Sequence, residues 1–522
     1  MTPEDPGPPK APTSTDDLRR ATEARNAEML ARAQAKRKQA ESLQAIDSAF
    51  LLRCIHNNSH GDGALFAAMH KGQYLFNKST GEWLLWNGHH LELDIREFAL
   101  SAIYNVAQKY HEEAMELTKL IAEMDDKAEI KSTEATRKRY EGRAYALKGE
   151  QGRKNALRLA ADPMHGLDVT GDQLDADPWK LACRNGVLDL RTGELAPGKL
   201  EDYITKASPI EWHGLDAPAP IWERSLLEIS ADRPNIVEFL QRWFGYCCTG
   251  LTREQKFPVF EGRGRNGKGL IRNLIERVMG PLATPIPAEM LLDQGRSRSA
   301  SGPSPDLMSL KGTRCAFASE TDAGRWISAS RVKMLTGSDS ISARAGYDRY
   351  MTSFLPSHKL ILMTNEKPRI PPDDYALWER ILRVPFEMSY VDREPVTDFE
   401  RPRDPDLEQK ILAAELPGIL AWLVRGCLWW QQDGLAPPPS ILSATAQYRR
   451  DEDTLQDWID ACCVLVPDIR TKAGDLYASF VEWHETNMGG KTPTPHRFGK
   501  WMQKRFEKIK SGAHMYAGIK LA

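Results

Sequence analysis

The first 45 residues lack the hydrophobic spacing of a packed element. Five prolines, at positions 3, 6, 8, 9 and 12, precede a stretch rich in Ala, Arg, Glu, Lys and Gln that holds few large apolar side chains. Such a stretch has no apolar stripe with which a helix buries one face. We expect residues 1–45 to form a disordered or helical tail.

Residues 46–215 mix strand-like and helical patterns. Two aromatic, apolar runs within 73–88 flank the turn residues Lys78–Gly81, which predicts a β-hairpin. A charged helical stretch follows over about 95–161, and residues 185–195 predict a strand, a turn and a second strand. We therefore expect an α+β accessory domain over 46–215.

Residues 216–439 alternate helical patterns with short apolar strands, which are predicted at Phe257–Phe260, Arg314–Ser319 and Lys359–Thr364. Strands that alternate with helices favour an α/β fold with a mostly parallel sheet. Pro437–Pro439 predict a hinge, after which residues 440–522 form a small helical and basic unit.

Composition narrows the class of protein. Of the 522 residues, 41% are hydrophobic and 27% are charged, which is typical of globular chains. No run reaches the roughly 18–20 apolar residues of a membrane span, and the first residues lack the apolar core of a signal peptide. We expect a soluble protein of the bacterial host cytoplasm that does not bind membranes.

The net charge of −2 conceals a local asymmetry. Seventy basic residues stand against 72 acidic ones, but residues 491–522 hold eight basic residues and one acidic residue, a net charge of +7.

The eight cysteines include no C-x-x-C pair, and two of their pairs are vicinal, so we expect free thiols and no structural zinc.

A glycine-rich segment follows the first predicted strand and precedes a predicted helix. Its sequence fits G-x-x-x-x-G-K, in which glycines let main-chain N–H groups surround phosphate oxygens and the lysine reaches the outer phosphates. A glycine stands where the motif has Ser or Thr, and a glycine-rich β-turn with a surface lysine is the alternative. The candidate nucleotide-contacting residues are Gly262, Gly264, Asn266, Gly267, Lys268 and Gly269.

Polar residues end the next predicted strands. Glu320 follows the second strand and is the candidate general base, and Asn365 follows the third, where an amide orients the lytic water. Arg380 and Arg383 lie at a helix-to-strand junction. Either guanidinium is a candidate to neutralise the charge of the transition state of ATP hydrolysis in a neighbouring subunit. The alternatives are that Glu320 is a surface carboxylate at the end of a strand and that the two arginines form ordinary surface ion pairs.

Taken in order, these segments resemble the motifs of superfamily 3 helicases, and the similarity to the phage, plasmid and poxvirus primase-helicases extends over roughly residues 70–520. The segments that carry it are 262–269, 319–322, 333–344, 364–368 and 378–380. The resemblance implies an AAA+-like P-loop motor that forms a hexameric ring on DNA and uses ATP and Mg²⁺.

The resemblance also implies roles for single residues. Lys268 is the phosphate lysine, Glu320 the Walker B acid and metal ligand, Asn365 the sensor residue, and Arg380 the arginine finger, with Arg383 as its substitute. This sequence departs from the pattern at two metal-shell positions, which carry Gly269 and Ser319.

Two segments are candidates for contact with DNA. The first resembles a pore-facing loop, and it combines positive charge with an aromatic ring, as single-strand binding sites do, in Lys333, Arg344, Tyr347 and Arg349. The second predicts a capped amphipathic helix of a winged-helix-like domain, with the outward-facing basic residues Arg497, Lys500 and Lys504. A solvated basic surface is the alternative for both.

We therefore expect an ATP-dependent replicative DNA helicase of a phage, plasmid or mobile element. The alternatives are an origin-melting initiator or DNA-stimulated remodelling ATPase, and a DNA-binding ring with weak or no ATPase. Primase activity is less favoured, because residues before Ile46 predict only a tail and the acidic residues at 168–177 predict a solvated loop.

Overall fold

A computed structural model describes residues 46–294, 304–319, 325–344, 351–372, 374–488, 492–511 and 513–522. The predicted tail at 1–45 lies outside these residues, as do three candidate site residues, Glu320, Tyr347 and Arg349. The described chain has a mixed α/β fold, with a helical α+β region that precedes a parallel sheet.

The N-terminal region packs helices beside a small sheet of strand order β3-β2-β1-β4. The predicted hairpin is confirmed, and the long charged stretch divides into three helices. Phe66 and Tyr110 are fully buried in the helical core. The elements are α1 Ser48–His56, α2 Asn58–Met69, β1 Tyr74–Asn77, β2 Glu82–Trp86, β3 Leu91–Leu93, α3 Phe98–Ala122, α4 Lys127–Ala146, α5 Glu150–Ala160 and β4 Asp168–Val169.

A three-stranded antiparallel sheet follows, formed by β5 Lys180–Cys183, β6 Gly186–Asp189 and β7 Glu194–Ala196. The predicted strand, turn and strand over 185–195 are thus confirmed. Leu181 and Leu188 belong to the same buried core as the next region, so apolar packing is continuous across position 215.

Five parallel strands form the central sheet in the order β14-β8-β13-β10-β9, and the expectation of a parallel sheet is confirmed. Every residue of β13 is buried. The elements are α6 Pro220–Ile229, α7 Pro234–Cys247, β8 Phe257–Glu261, α8 Lys268–Met279, β9 Ala283–Pro287, α9 Pro305–Met308, β10 Cys315–Ser319, α10 Ala329–Thr336, β11 Ile341–Ala343, β12 Thr352–Phe354, β13 Lys359–Thr364, α11 Tyr375–Trp378 and β14 Ile381–Pro385.

Further helices cover this sheet, and α13 packs along α7. No single helix among the described residues is long and apolar enough to cross a membrane, although the bent pair α12 and α13 meets the length and composition criteria together. Tyr448 on α14 is buried against Trp378, so the core of the sheet extends beyond the predicted boundary at 439. The elements are β15 Ser389–Val391, β16 Glu400–Pro402, α12 Leu407–Ala414, α13 Leu416–Asp433 and α14 Pro439–Asp451.

The C-terminal unit has its own core around Trp458 and Phe480 and an antiparallel sheet of order β17-β19-β18. Thr494 caps α17, on which Phe498, Trp501 and Met502 are buried, as the sequence predicts. The elements are α15 Thr454–Cys462, β17 Cys463–Lys472, α16 Ala473–Asn487, α17 Pro495–Gln503, β18 Lys508–Ser511 and β19 Ala513–Leu521.

Candidate functional site

A cleft opens where the central strands end. The glycine-rich segment connects β8 to α8, and β13 lies beside β8 with Thr364 opposite Glu261. On the other side of β13, Ser319 ends β10 opposite Met363. The cleft has a volume of about 410 Å³ and is lined by Gly264, Arg265, Asn266, Gly267, Lys268, Gly269, Leu270, Arg272, Ser319, Met363, Thr364 and Asn365.

Two of the loop glycines are required by their surroundings. Gly267 has a φ of 85°, and a Cβ there would lie 2.5 Å from Ile229 Cγ1. A Cβ on Gly262 would lie 2.2 Å from the carbonyl oxygen of Phe386. Gly264 and Gly269, in contrast, have no atom within 4 Å of such a Cβ. A side chain at position 262 or 267 would therefore clash with neighbouring atoms, whereas positions 264 and 269 have space for one.

Gly267→Ala should lower the free energy of unfolding by about 1–3 kcal/mol and weaken nucleotide binding, because it adds left-handed strain and a clash with Ile229. Gly269→Ala is the matched control, since its Cβ meets open space at the start of α8. This control should be neutral or stabilising by up to about 1 kcal/mol in chemical denaturation. Equal effects of the two substitutions would contradict the assigned loop geometry.

The start of α8 directs main-chain donors into the cleft. The N–H groups of Gly269 and Leu270 have no acceptor among the described residues, as is usual for the first turn of a helix. Asn266 is buried, and its Oδ1 lies 3.4 Å from the N–H of Lys268. A helix N-terminus with free N–H groups favours an anion.

Lys268 is buried at the base of the cleft. Its Nζ donates to the carbonyl oxygens of Gly262, at 2.5 Å, and Thr364, at 3.0 Å, and lies 3.5 Å from Asn365 Oδ1. Burial lowers the pKa of this ammonium to about 8, although nearby Glu261 acts in the opposite direction. The two predicted residues Lys268 and Asn365 are thus brought together, with Asn365 exposed at the edge.

Nucleotide affinity should fall above about pH 8, because the neutral amine of Lys268 no longer attracts phosphate. A phosphate beside Lys268 would raise the pKa of its ammonium, so affinity should decrease by up to about tenfold per pH unit above the pKa of the free protein. Calorimetry at pH 8.5 in two buffers of different ionisation enthalpy should detect proton uptake on binding. An affinity that is flat from pH 7.5 to 9.5, without proton uptake, would contradict a phosphate-binding Lys268 with a lowered pKa.

Arg272 is a residue of this cleft that the sequence motifs do not indicate. It lies one turn after Lys268 on α8, and its Nη1 donates to Ser319 Oγ at 3.0 Å. The spacing of four residues places Lys268 and Arg272 on one face of α8, which the sequence alone indicates. Only the fold shows that this face contacts the end of β10.

The described lining of the cleft holds no carboxylate. Mg²⁺ prefers oxygen ligands and is usually bound by one or two carboxylates together with substrate phosphates. The side-chain oxygens of the lining belong to the amides of Asn266 and Asn365 and to the hydroxyls of Ser319 and Thr364, none of which carries a charge. The described residues alone therefore do not fit a magnesium site, and the predicted ligand Glu320 lies outside them.

Arg380 lies at the opposite end of the sheet. It directly precedes β14, which runs parallel to β8, so a strand length of roughly 16 Å separates it from the glycine loop. Its guanidinium donates to Thr336 Oγ1, Gln255 Oε1 and the carbonyl oxygen of Ala376. Arg383 instead pairs with Glu261 in the same chain.

The predicted pore-facing residues divide between a helix and a hairpin. Lys333 lies on α10 and forms a 2.7 Å ion pair with Asp374. Arg344 directly follows β11, which pairs antiparallel with β12. The other two predicted residues of this segment, Tyr347 and Arg349, lie between those strands and outside the described residues.

The basic residues of α17 are exposed, as predicted, but one of them also contacts the central region. The guanidinium of Arg497 lies 4.7 Å from the ring centre of Trp326 and 5.2 Å from that of Trp501. Arg505 forms an ion pair with Asp453 at the same junction. Lys500 and Lys504 are exposed on the same helix end.

Comparison with known proteins places these features in context. A family model described as "D5 N terminal like" matches residues 63–231, which precede the glycine loop. The chain is 29% identical over 357 residues to "Putative helicase L207/L206" of Acanthamoeba polyphaga mimivirus, covering 66% of this chain and 37% of that protein. The chain is thus similar to a protein named as a putative helicase. The resemblance inferred from the motifs is confirmed.

Other similar proteins also come from large DNA viruses. "Putative helicase 022R" of Frog virus 3 is 25% identical over 407 residues, which cover 64% of this chain and 41% of that protein. "Putative primase C962R" of an African swine fever virus isolate is 24% identical over 339 residues, which cover 61% of this chain and 34% of that protein. The chain thus matches well under half the length of each of these relatives.

One solved structure, the apo C-terminal region of NrS-1, aligns with 88% of this chain and 100% of its own length. The sequence identity is 10% and the TM-score is 0.43, values that do not establish a shared fold.

Proposed function

We propose that the chain is an ATP-hydrolysing DNA helicase that acts in replication. The observation that carries the proposal is the convergence of Lys268, Asn365 and the N-terminus of α8 at the carboxyl edge of a parallel sheet. Ligands of α/β sheets bind at this edge, and the helix N-terminus together with the lysine suits a triphosphate. The viral relatives named as helicases support the assignment.

The proposed motor is an AAA+-like module that works as a ring. The sheet has five parallel strands, with the glycine loop after an inner strand. Arg380 is a full strand length from its own loop, so its guanidinium is proposed to act on the nucleotide of a neighbouring subunit. Such an arrangement needs a homo-oligomer, and a hexamer is proposed.

DNA is the proposed substrate of the ring. The C-terminal unit has the order helix, strand, helix, helix, strand, strand and a three-stranded antiparallel sheet, which supports a winged-helix-like domain. Its exposed Lys500 and Lys504 are proposed to contact phosphates, with a strong dependence on salt concentration. The hairpin of β11 and β12 carries Arg344 and is the proposed pore element.

Unwinding of a forked duplex tests this function against its nearest alternative. A helicase should separate a labelled fork only with ATP, and only when the single-stranded tail has one of the two polarities. A remodelling ATPase should hydrolyse ATP without separating long duplexes in either orientation. Failure to unwind forks of both polarities, with ATP turnover intact, would favour the remodelling ATPase.

A further inference from the structure

Two positions of the cleft lack the oxygen-bearing side chains that usually bind the metal ion of a nucleotide. The P-loop motif has a Ser or Thr hydroxyl for Mg²⁺ directly after its lysine, and Gly269 stands there with open space around it. At the end of β10, Ser319 offers a hydroxyl rather than a carboxylate. Among the described residues, Ser319 is thus the oxygen ligand that the end of β10 offers to a cation, and the predicted acid Glu320 lies outside them.

A guanidinium occupies the region between these two positions. Arg272 lines the cleft, and its side chain is 33% exposed. One bond to Ser319 uses one of the five N–H donors of the guanidinium. Its Nε is buried and has no hydrogen-bond partner among the described residues. The Nη groups of this partly exposed side chain have further N–H donors for a ligand in the cleft.

Arg272 has a carboxylate within ion-pair distance but no hydrogen-bonded carboxylate among the described residues. The neighbouring carboxylate of Glu276 is 3.8 Å from Nε, which is too far for a hydrogen bond, and its Oε1 has no partner among the described residues. Burial raises the pKa of Glu276, while the charge of Arg272 acts in the opposite direction. The positive charge of Arg272 is thus available to an anion beside Lys268.

We propose that Arg272 binds the outer phosphates of the nucleotide and supplies part of the charge neutralisation usually given by the metal ion, so that this site binds nucleotide without a divalent cation. The inference rests on the proposed nucleotide site. Lys268 and Arg272 lie on successive turns of α8 and both line the cleft, so two cations face one triphosphate. An arginine suits this role because its fork of donors matches phosphate oxygens.

The test is equilibrium binding of a fluorescent ATP analogue in Mg²⁺ and in EDTA, followed by anisotropy. The wild-type chain should bind in both buffers. Arg272→Ala should weaken binding in EDTA by about tenfold to a hundredfold, the usual effect of losing a hydrogen bond to a charged group, and should weaken it less in Mg²⁺. Arg272→Lys should restore part of the EDTA affinity.

Two variants separate phosphate binding from a structural role. Arg277→Ala removes an exposed arginine from the same helix and should change neither affinity. Ser319→Ala removes the acceptor of Arg272 and should retain binding in EDTA, whereas a loss equal to that of Arg272→Ala would show that Arg272 acts only through Ser319.

The outcomes distinguish this inference from the proposed function. Binding of the wild type in Mg²⁺ but not in EDTA would overturn the inference and leave the nucleotide site intact. Equal EDTA affinities of wild type and Arg272→Ala would also overturn it. No binding in either buffer would overturn the nucleotide site itself, and the inference with it.

Discussion

Lys268→Ala should abolish ATP turnover and weaken nucleotide binding by at least about a hundredfold, since it removes the buried ammonium that is proposed to make two or more charged hydrogen bonds to phosphate. In the structure this ammonium donates to two main-chain carbonyl oxygens. Phosphate oxygens are expected to replace them. Turnover and analogue binding measure the two effects separately.

The folded state should tolerate this substitution. Lys268 is buried without a hydrogen-bonded carboxylate, and burial of a charge is costly unless it is paired. The melting temperature of Lys268→Ala should therefore be equal to or above that of the wild type. Lys138→Ala, which removes an exposed lysine on α4, is the matched control and should leave turnover unchanged. Unchanged turnover in Lys268→Ala would contradict the assignment of the loop.

Arg380→Ala should reduce turnover by about a thousandfold or more while nucleotide affinity changes little, the pattern of an arginine finger acting from a neighbouring subunit. The affinity should be retained because Arg380 lies at the far end of the sheet from its own glycine loop. Single-turnover hydrolysis and analogue binding on the same preparation measure both quantities.

Mixing two inactive variants tests the action between subunits. Lys268→Ala retains the guanidinium of Arg380, and Arg380→Ala retains an intact nucleotide site. Mixed rings should therefore recover part of the turnover that each variant lacks alone. Arg383→Ala is the comparison, because Arg383 pairs with Glu261 in its own chain, and its loss should lower the melting temperature without recovery on mixing. Absence of recovery in the first mixture would contradict the role of Arg380.

Much of the parallel sheet follows from the sequence, but one edge strand does not. The predicted strands at 257, 314 and 359 agree with β8, β10 and β13 to within one residue at each end. The strand β9 carries prolines at positions 285 and 287, which indicate a loop. Proline is compatible with a strand only at an edge or a bulge, and β9 lies at the edge of the sheet.

The glycine-rich loop can be predicted from the sequence because its residues are close together along the chain. The contacts between the loop helix and other elements cannot, because they join residues that are far apart in the sequence. The spacing of the glycines and Lys268 is visible in the sequence. The contact between Arg272 and Ser319 joins positions 47 residues apart, and the stacking of Arg497 on Trp326 joins two separate cores. Such contacts depend on the packing of whole elements, which hydrophobic periodicity does not specify.

The stacking of Arg497 on Trp326 also changes the interpretation of the C-terminal helix. The sequence predicts Arg497 as an outward-facing DNA contact, and the structure shows its guanidinium between two indole rings. Cation–π pairs of this kind contribute roughly 0.5–2 kcal/mol. Lys500, which is exposed on α17, is therefore the better candidate for the proposed phosphate contact of this helix.

The most direct test of the proposed motor is steady-state ATP turnover with and without single-stranded DNA, for the wild type and Glu320→Gln. The account predicts turnover that DNA stimulates in the wild type and that is lost in Glu320→Gln, in which the predicted general base is replaced by an amide. Absence of ATP turnover by the wild type in the presence of DNA, or turnover that persists in Glu320→Gln, would contradict it.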